Sequence, residues 1–365
     1  MTFQPFIVGF LVSLFICIVL VLTQRFHQRF TADTHEGVQK VHTHTTPRVG
    51  GIAIILGALV GWYVAPPDFF GGLFWTSLVA SIPAFFFGLL EDITKRVSVR
   101  TRLLATMVCS IIAYGLTDLS ISDLNVYVLD WFMKFTLVSL LFTAFAVAGV
   151  ANSFNIIDGL NGLSTGTVLI ISVAFYRMSL VVGDVQLSYV CLLVFSTVLG
   201  AFLVNWPLGK IFIGDGGAYF VGFLVAWIAV MLMERHPEIS AWAPLLVCGY
   251  PVLEVIFSML RRRRRGLKVG APDRLHLHSI VMRRVIKRLF PKANNLAQNS
   301  IAGGGLLVLN MPPILIAIDW YTNTPMLIIG FVLTAFVYSA IYARLTQFVW
   351  CFSAVTTREV HQVQA

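Results

Sequence analysis

The chain has 365 residues, 58% of them hydrophobic and 12% charged, with a mean hydropathy of +0.83. Soluble domains carry roughly 25% charged residues, so a water-soluble globule is excluded and an all-α, polytopic membrane bundle is expected. The formal net charge of +9 gathers between apolar segments, where it marks membrane orientation, and no nucleic-acid partner is expected.

Apolar runs of spanning length fall near residues 5–24, 49–65, 70–90, 102–117, 132–151, 163–182, 186–205, 218–234, 241–260, 300–320 and 325–344. About eleven transmembrane helices are therefore expected. No small-residue cleavage site follows the first run, which reads as a retained anchor. Alternating the loops puts 25–48, 91–101, 152–162, 206–217, 261–299 and the tail 346–365 on one side. With Arg102 and Arg344 at the span edges, that side holds 23 of the 26 lysines and arginines. Such a bias marks the cytoplasmic face, so the N-terminus is expected outside and the C-terminus inside. Residues 1–345 read as a single transmembrane catalytic domain. The opposite loops are acidic: Asp68, Asp118, Asp123, Asp130, Asp184, Glu234 and Glu238. The five cysteines lie in or beside apolar runs and read as small apolar residues rather than disulfide partners.

The unusual polar residues all fall on the basic side. Thr46-Pro47-Arg48-Val49-Gly50-Gly51 opens the second run, with Arg48 suited to a phosphate. Glu91 and Asp92 close the third run. Adjacent carboxylates repel unless a cation sits nearby, and Lys95, Arg96, Arg100 and Arg102 follow as phosphate partners. Asn152 to Gly166 then sets Asn152, Asn155, Asp158 and Asn161 among glycines at a helix mouth. This turn suits a helix cap and equally a seat for a sugar phosphate or metal. Gly214-Asp215-Gly216-Gly217 begins another helix, where an acid can be an N-cap or a metal or phosphate seat. The long loop opens with five arginines that suit anionic lipid, followed by Asp273-Arg274-Leu275-His276-Leu277-His278. His276 and His278 share a face only on an extended segment. Leu277, Val281, Val285 and Leu289 recur at i, i+4 with basic residues between, which predicts a helix lying on the membrane surface.

Thr46–Gly51, Glu91-Asp92, Asn152–Gly166, Phe212–Gly217 and Asp273–His278, in this order, resemble the polyprenyl-phosphate N-acetylhexosamine-1-phosphate transferases, of glycosyltransferase 4 type. The Asp-Arg-X-His-X-His pattern is nearer the bacterial branch that starts O-antigen or related surface glycans on undecaprenyl phosphate. The resemblance implies transfer of a sugar 1-phosphate from a UDP-sugar to undecaprenyl phosphate at the cytoplasmic face of the bacterial inner membrane, with release of UMP. It implies Mg²⁺, or Mn²⁺ in its place, on Asp215 and Asp92, and Glu91, Asp92, Asp158 and Asp215 as catalytic acids. Asn152, Asn155, Asn161, Arg48, Arg100, Arg102, Arg274, His276 and His278 would bind substrate. Three positions depart from the pattern. Glu91 replaces a first Asp, Asn161 replaces a second, and Ser279 stands where a further His is frequent. A homodimer is compatible with the lipid-facing surface. The rival from another class is a secondary transporter with a midplane site near Glu254.

Overall fold

The computed structural model describes residues 2–33, 46–266, 273 and 275–347. Arg274, Cys351 and the tail beyond 347 lie outside the described residues. In chain order the helices are α1 (Gln4–Leu22), α2 (Gln24–Thr31), α3 (Gly50–Tyr63), α4 (Leu73–Thr94), α5 (Val99–Thr117), α6 (Tyr127–Met133), α7 (Thr136–Ile157), α8 (Leu163–Val181), α9 (Val185–Asn205), α10 (Gly214–Arg235), α11 (Trp242–Val247) and α12 (Gly249–Arg264). There follow α13 (Leu277–Val281), a π-helical turn (Met282–Ile286), α14 (Lys287–Leu289), α15 (Asn295–Leu309), α16 (Met311–Asp319) and α17 (Thr324–Gln347). A two-residue strand pair, β1 (Ala32–Asp33) with β2 (Thr46–Pro47), is antiparallel.

Every expected apolar run is helical, but among the described residues nine stretches are long and apolar enough to span, α15 and α16 counting as one. Two of the eleven runs fall short. Helix α3 has 14 residues, about 21 Å against roughly 30 Å of hydrocarbon. The run 241–260 breaks at Cys248 into α11 and α12. Pro251 explains the break, since it has no N–H for the Val247 carbonyl and its ring crowds that group.

Helix α10 is the axis. It packs against α3, α4, α5, α7, α8 and α9, with Tyr219, Phe220, Phe223 and Trp227 fully buried. Its first turn is approached closely: a Cβ on Gly88 of α4 would lie 2.6 Å from the Gly216 Cα. Cys17, Cys109, Cys191 and Cys248 are free and buried.

The loops segregate to two ends of the bundle. At one end Glu234 accepts from the Ser122 N–H (2.8 Å) and hydroxyl (2.7 Å), and Asp184 pairs with Arg235 and His236. At the other end the five polar segments meet. Here the chain from Pro47 to Gly51 lies alongside 212–213: the Phe212 N–H donates to the Pro47 carbonyl (2.9 Å), and the N–H groups of Gly50 and Gly51 donate to the carbonyls of Phe212 (2.9 Å) and Ile213 (3.0 Å).

The helix expected on the membrane surface is corrected. Leu277, Ile280, Met282 and Ile286 are buried against the bundle while Leu289 is exposed. The π-helical turn shifts the periodicity, so the inward face is not the i, i+4 stripe. Arg284 reaches the carbonyls of Leu345 and Thr346 near the end of α17.

Candidate active site

The centre forms where α4 ends and α10 begins. Asp92 lies in the last turn of α4 and is 1% exposed. Its Oδ1 accepts the Asp215 N–H (2.9 Å) and its Oδ2 accepts the Gly216 N–H (2.8 Å). Those donors have no partner within the helix, and a carboxylate there also meets the positive end of the α10 dipole. The contact requires Gly214, whose φ is +71°. A Cβ there would stand 2.6 Å from Asp92 Oδ2 and collide with the Arg48 carbonyl.

Asp215 is in turn surrounded by donors. Its Oδ1 accepts from Arg48 Nη2 (2.6 Å) and Asn155 Nδ2 (2.9 Å), and its Oδ2 pairs with Arg102. Arg48 Nε also stands 3.6 Å from Asp92 Oδ1, while the Arg48 N–H is tied to the Thr31 carbonyl at the end of α2 (2.9 Å). Arg102, in the first turns of α5, lies over the Tyr219 ring at 5.5 Å. The Tyr219 hydroxyl donates to Asn152 Oδ1 (2.7 Å). Two carboxylates and two guanidinium groups thus neutralise one another in a nearly closed space, where such pairs are much less screened than in water.

Asp158 follows α7 and is half-buried. Burial pushes its carboxyl up to about 8, with Asp92 adding to the rise and Arg48 opposing it. A Cβ on the next residue, Gly159, would lie 2.6 Å from His278 Nε2. The histidine loop is therefore packed on the Asp158 turn. The His276 and His278 rings stack at 5.4 Å with 4° between their planes. His278 is buried, and that burial holds it down to about 4, so it is neutral at physiological pH. Upstream, Asp273 pairs with Arg261 and accepts from Ser258 and from the Leu275 N–H. These partners hold its carboxyl below the usual range against the upward push of burial.

Several residues expected in the site lie apart from the acid cluster. Glu91 is turned away from the centre: its Oε2 accepts the Val97 N–H (2.6 Å) and closes the α4–α5 turn. Asn161 is fully buried, its N–H donating to Asn299 and its side-chain amide to the Ser300 hydroxyl (3.1 Å) on α15. It buttresses the turn instead of facing the cluster. Arg100 is exposed on α5. Glu254, on which the transporter reading rests, is engaged by His276 and the Leu277 N–H. Sequence reasoning missed Tyr219, although it lies four residues beyond Asp215, on the same helical face.

Asp92, Asp215, Asn155, Arg48 and Arg102 do converge, with Asn152 joined through Tyr219. Among the described residues no three acidic, histidine or cysteine side chains close around one point as a ready-made metal set. The donor chemistry nevertheless suits a hard cation. Asp158 accepts no hydrogen bond among the described residues. Arg48 is the more accessible of the two arginines, at 27% against 9%.

The family model described as glycosyl transferase family 4 matches residues 74–233. A protein of Bacillus subtilis (strain 168), named "Probable undecaprenyl-phosphate N-acetylglucosaminyl 1-phosphate transferase", is 26% identical over 283 residues, 76% of this chain and 77% of its own. Proteins named undecaprenyl-phosphate alpha-N-acetylglucosaminyl 1-phosphate transferase are 28% identical in Escherichia coli (strain K12), over 67% of each chain, and in Yersinia pestis, over 67% of this chain and 68% of that one.

Proposed function

We propose that this chain, which matches the glycosyl transferase family 4 model over residues 74–233, transfers an N-acetylhexosamine 1-phosphate from a UDP-sugar to undecaprenyl phosphate and releases UMP. The observation that carries this reading is the meeting of Asp92, Asp215, Asn155, Arg48 and Arg102 at one end of the bundle, with Asp158 beside them. Carboxylates and guanidinium groups at the end of a membrane bundle match a reaction between two phosphates, one of them on a lipid.

An oxygen of the lipid phosphate attacks the phosphorus that bears the sugar. The bond from that phosphorus to the bridging oxygen breaks, and its electron pair leaves with UMP. A phosphate monoester is ionised near neutral pH, so no strong base is required. The demand on the protein is positioning and charge neutralisation. Arg48 and Arg102 are suited to exchange Asp215 for phosphate oxygens, since a guanidinium binds either anion in the same forked geometry. Asp92 holds the α10 N-terminus and so keeps Asp215 in place. Asp92, expected to share the metal with Asp215, has both oxygens engaged by N–H groups of α10, so Asp215 and Asp158, with Asn155 alongside, would hold Mg²⁺ or Mn²⁺. When bound, that ion neutralises charge on the diphosphate. His276 and His278 face the sugar or diphosphate side.

The lysine and arginine bias supports a cytoplasmic placement of this end; in a bacterial inner membrane the reaction would there begin a surface glycan such as O-antigen. The test is UMP release and lipid-product mass from purified protein given a panel of UDP-sugars, with and without undecaprenyl phosphate. Sugar diphosphate-lipid from a UDP-N-acetylhexosamine is expected. Solute uptake into vesicles without product would contradict it.

A further inference from the structure

Glu254 is a buried carboxylate for which the transfer chemistry has no use. It lies within α12, ten residues before the helix end at Arg264, and is 1% exposed. A carboxylate at such depth is costly unless held. Its partners arrive from a segment distant in sequence. After α12 the chain returns along this helix: Asp273 meets Arg261 and Ser258, and the Leu275 carbonyl accepts from Arg261 Nη1 (2.6 Å). One stage deeper, Glu254 Oε1 accepts the Leu277 N–H (2.8 Å) and contacts His276 Nδ1 (3.0 Å).

The contact has a consequence at the site. With Glu254 ionised its oxygens only accept, and Nδ1 then carries the proton of this contact. That leaves Nε2 as the ring atom open to a ligand, 3.9 Å from Asp273 Oδ2 and so beyond a direct hydrogen bond to it. The ring plane of His276 is fixed, His278 stacks parallel to it, and His278 packs on Gly159 next to Asp158. A line of contacts thus runs from α12 through the two histidine rings to the Asp158 turn.

We propose that Glu254 is a positioning residue: through His276 Nδ1 and the Leu277 N–H it sets the tautomer of His276 and seats the His276–His278 stack against the Asp158 turn, where the diphosphate of the nucleotide donor is held. The role rests on the transferase reading given above. A carboxylate with only a structural duty would affect folding and both substrates alike. Glu254 instead acts on the donor side.

The test uses full-length protein in detergent, as wild type, Glu254→Gln and Glu254→Leu. Nitrogen-15 NMR of labelled histidine rings, assigned with His276→Asn, is expected to show His276 protonated at Nδ1 in wild type and to lose that signature in Glu254→Leu. Glu254→Leu should raise the KM for the UDP-sugar about tenfold, the usual order for losing a charge-assisted hydrogen bond, with the KM for undecaprenyl phosphate unchanged. Glu254→Gln keeps an acceptor oxygen and should recover most of the loss. Equal changes in both KM values, or a fall in thermal stability alone, would overturn the proposal. So would a wild-type His276 protonated only at Nε2, which needs no variant to fold. Wild-type protein that makes no UMP would instead sink the transferase reading, and the ring measurement would still decide whether Glu254 holds His276.

Discussion

Asp92 accepts the main-chain N–H of Asp215 at 2.9 Å. One acid is thereby the cap on which the other stands, and α4 cannot shift against α10 without moving the centre. Asparagine at 92 offers a single acceptor atom where the carboxylate uses two. Asp92→Asn should lower stability by about 1–2 kcal/mol, the scale of a lost cap. It should lower kcat on the order of 100-fold by releasing Asp215. Thermal unfolding and initial rates of UMP release check both.

Asp158 should make the reaction pH-dependent. Burial holds its carboxyl at about 8, so the free site contains the neutral acid at pH 7, while cation binding needs the carboxylate. The donor kcat/KM should therefore rise with pH up to about 8 and level off above it. Added Mg²⁺ should move the midpoint of kcat downward, and Asp158→Asn should abolish this limb. The linkage to stability has the opposite sign. A folded-state value above the unfolded one gives stability that is complete below about pH 4 and is lost as pH rises through 8. Asp158→Asn should thus unfold no more easily than wild type at pH 9.

Glu91 and Asp92 differ in fate because neighbours on a helix point about 100° apart. Only one of the pair can face α10. Glu91→Gln should leave kcat within about threefold of wild type and lower stability by roughly 1 kcal/mol through the weakened Val97 contact. Steady-state kinetics and thermal melts separate it from Asp92→Asn.

Much of this centre was legible in the sequence. Acids, amides and arginines at the ends of apolar runs stand out because hydrocarbon excludes them, and loop alternation alone brings Arg48, Asp92, Asn155, Asp158 and Asp215 to one end. The direction of each side chain was not legible, since it is set by packing with distant segments. Asn161 turns to Ser300 of α15, 139 residues away. The π-helical turn after α13 likewise has no signal in the periodicity, whereas the break at Cys248 could have been read from Pro251.

Asn161 offers a sharp check of that packing. Restoring an acid there, Asn161→Asp, buries a carboxylate at a fully enclosed site and removes the donor to Ser300. The expected loss is about 2–4 kcal/mol of stability, from an unpaired buried charge. Thermal melts decide it; a gain in activity without loss of stability would place position 161 in the site after all.

In the proposed reaction Asp215 gathers the phosphates and their cation at one point. The direct measurement is UMP release by purified protein from a UDP-N-acetylhexosamine, with undecaprenyl phosphate and Mg²⁺, in wild type and in Asp215→Asn at matched thermal stability. Omitting either substrate or the metal should stop the reaction, and Asp215→Asn should lower kcat by roughly 1,000-fold or more. Substantial UMP release by Asp215→Asn, or by wild type stripped of divalent metal, would contradict it.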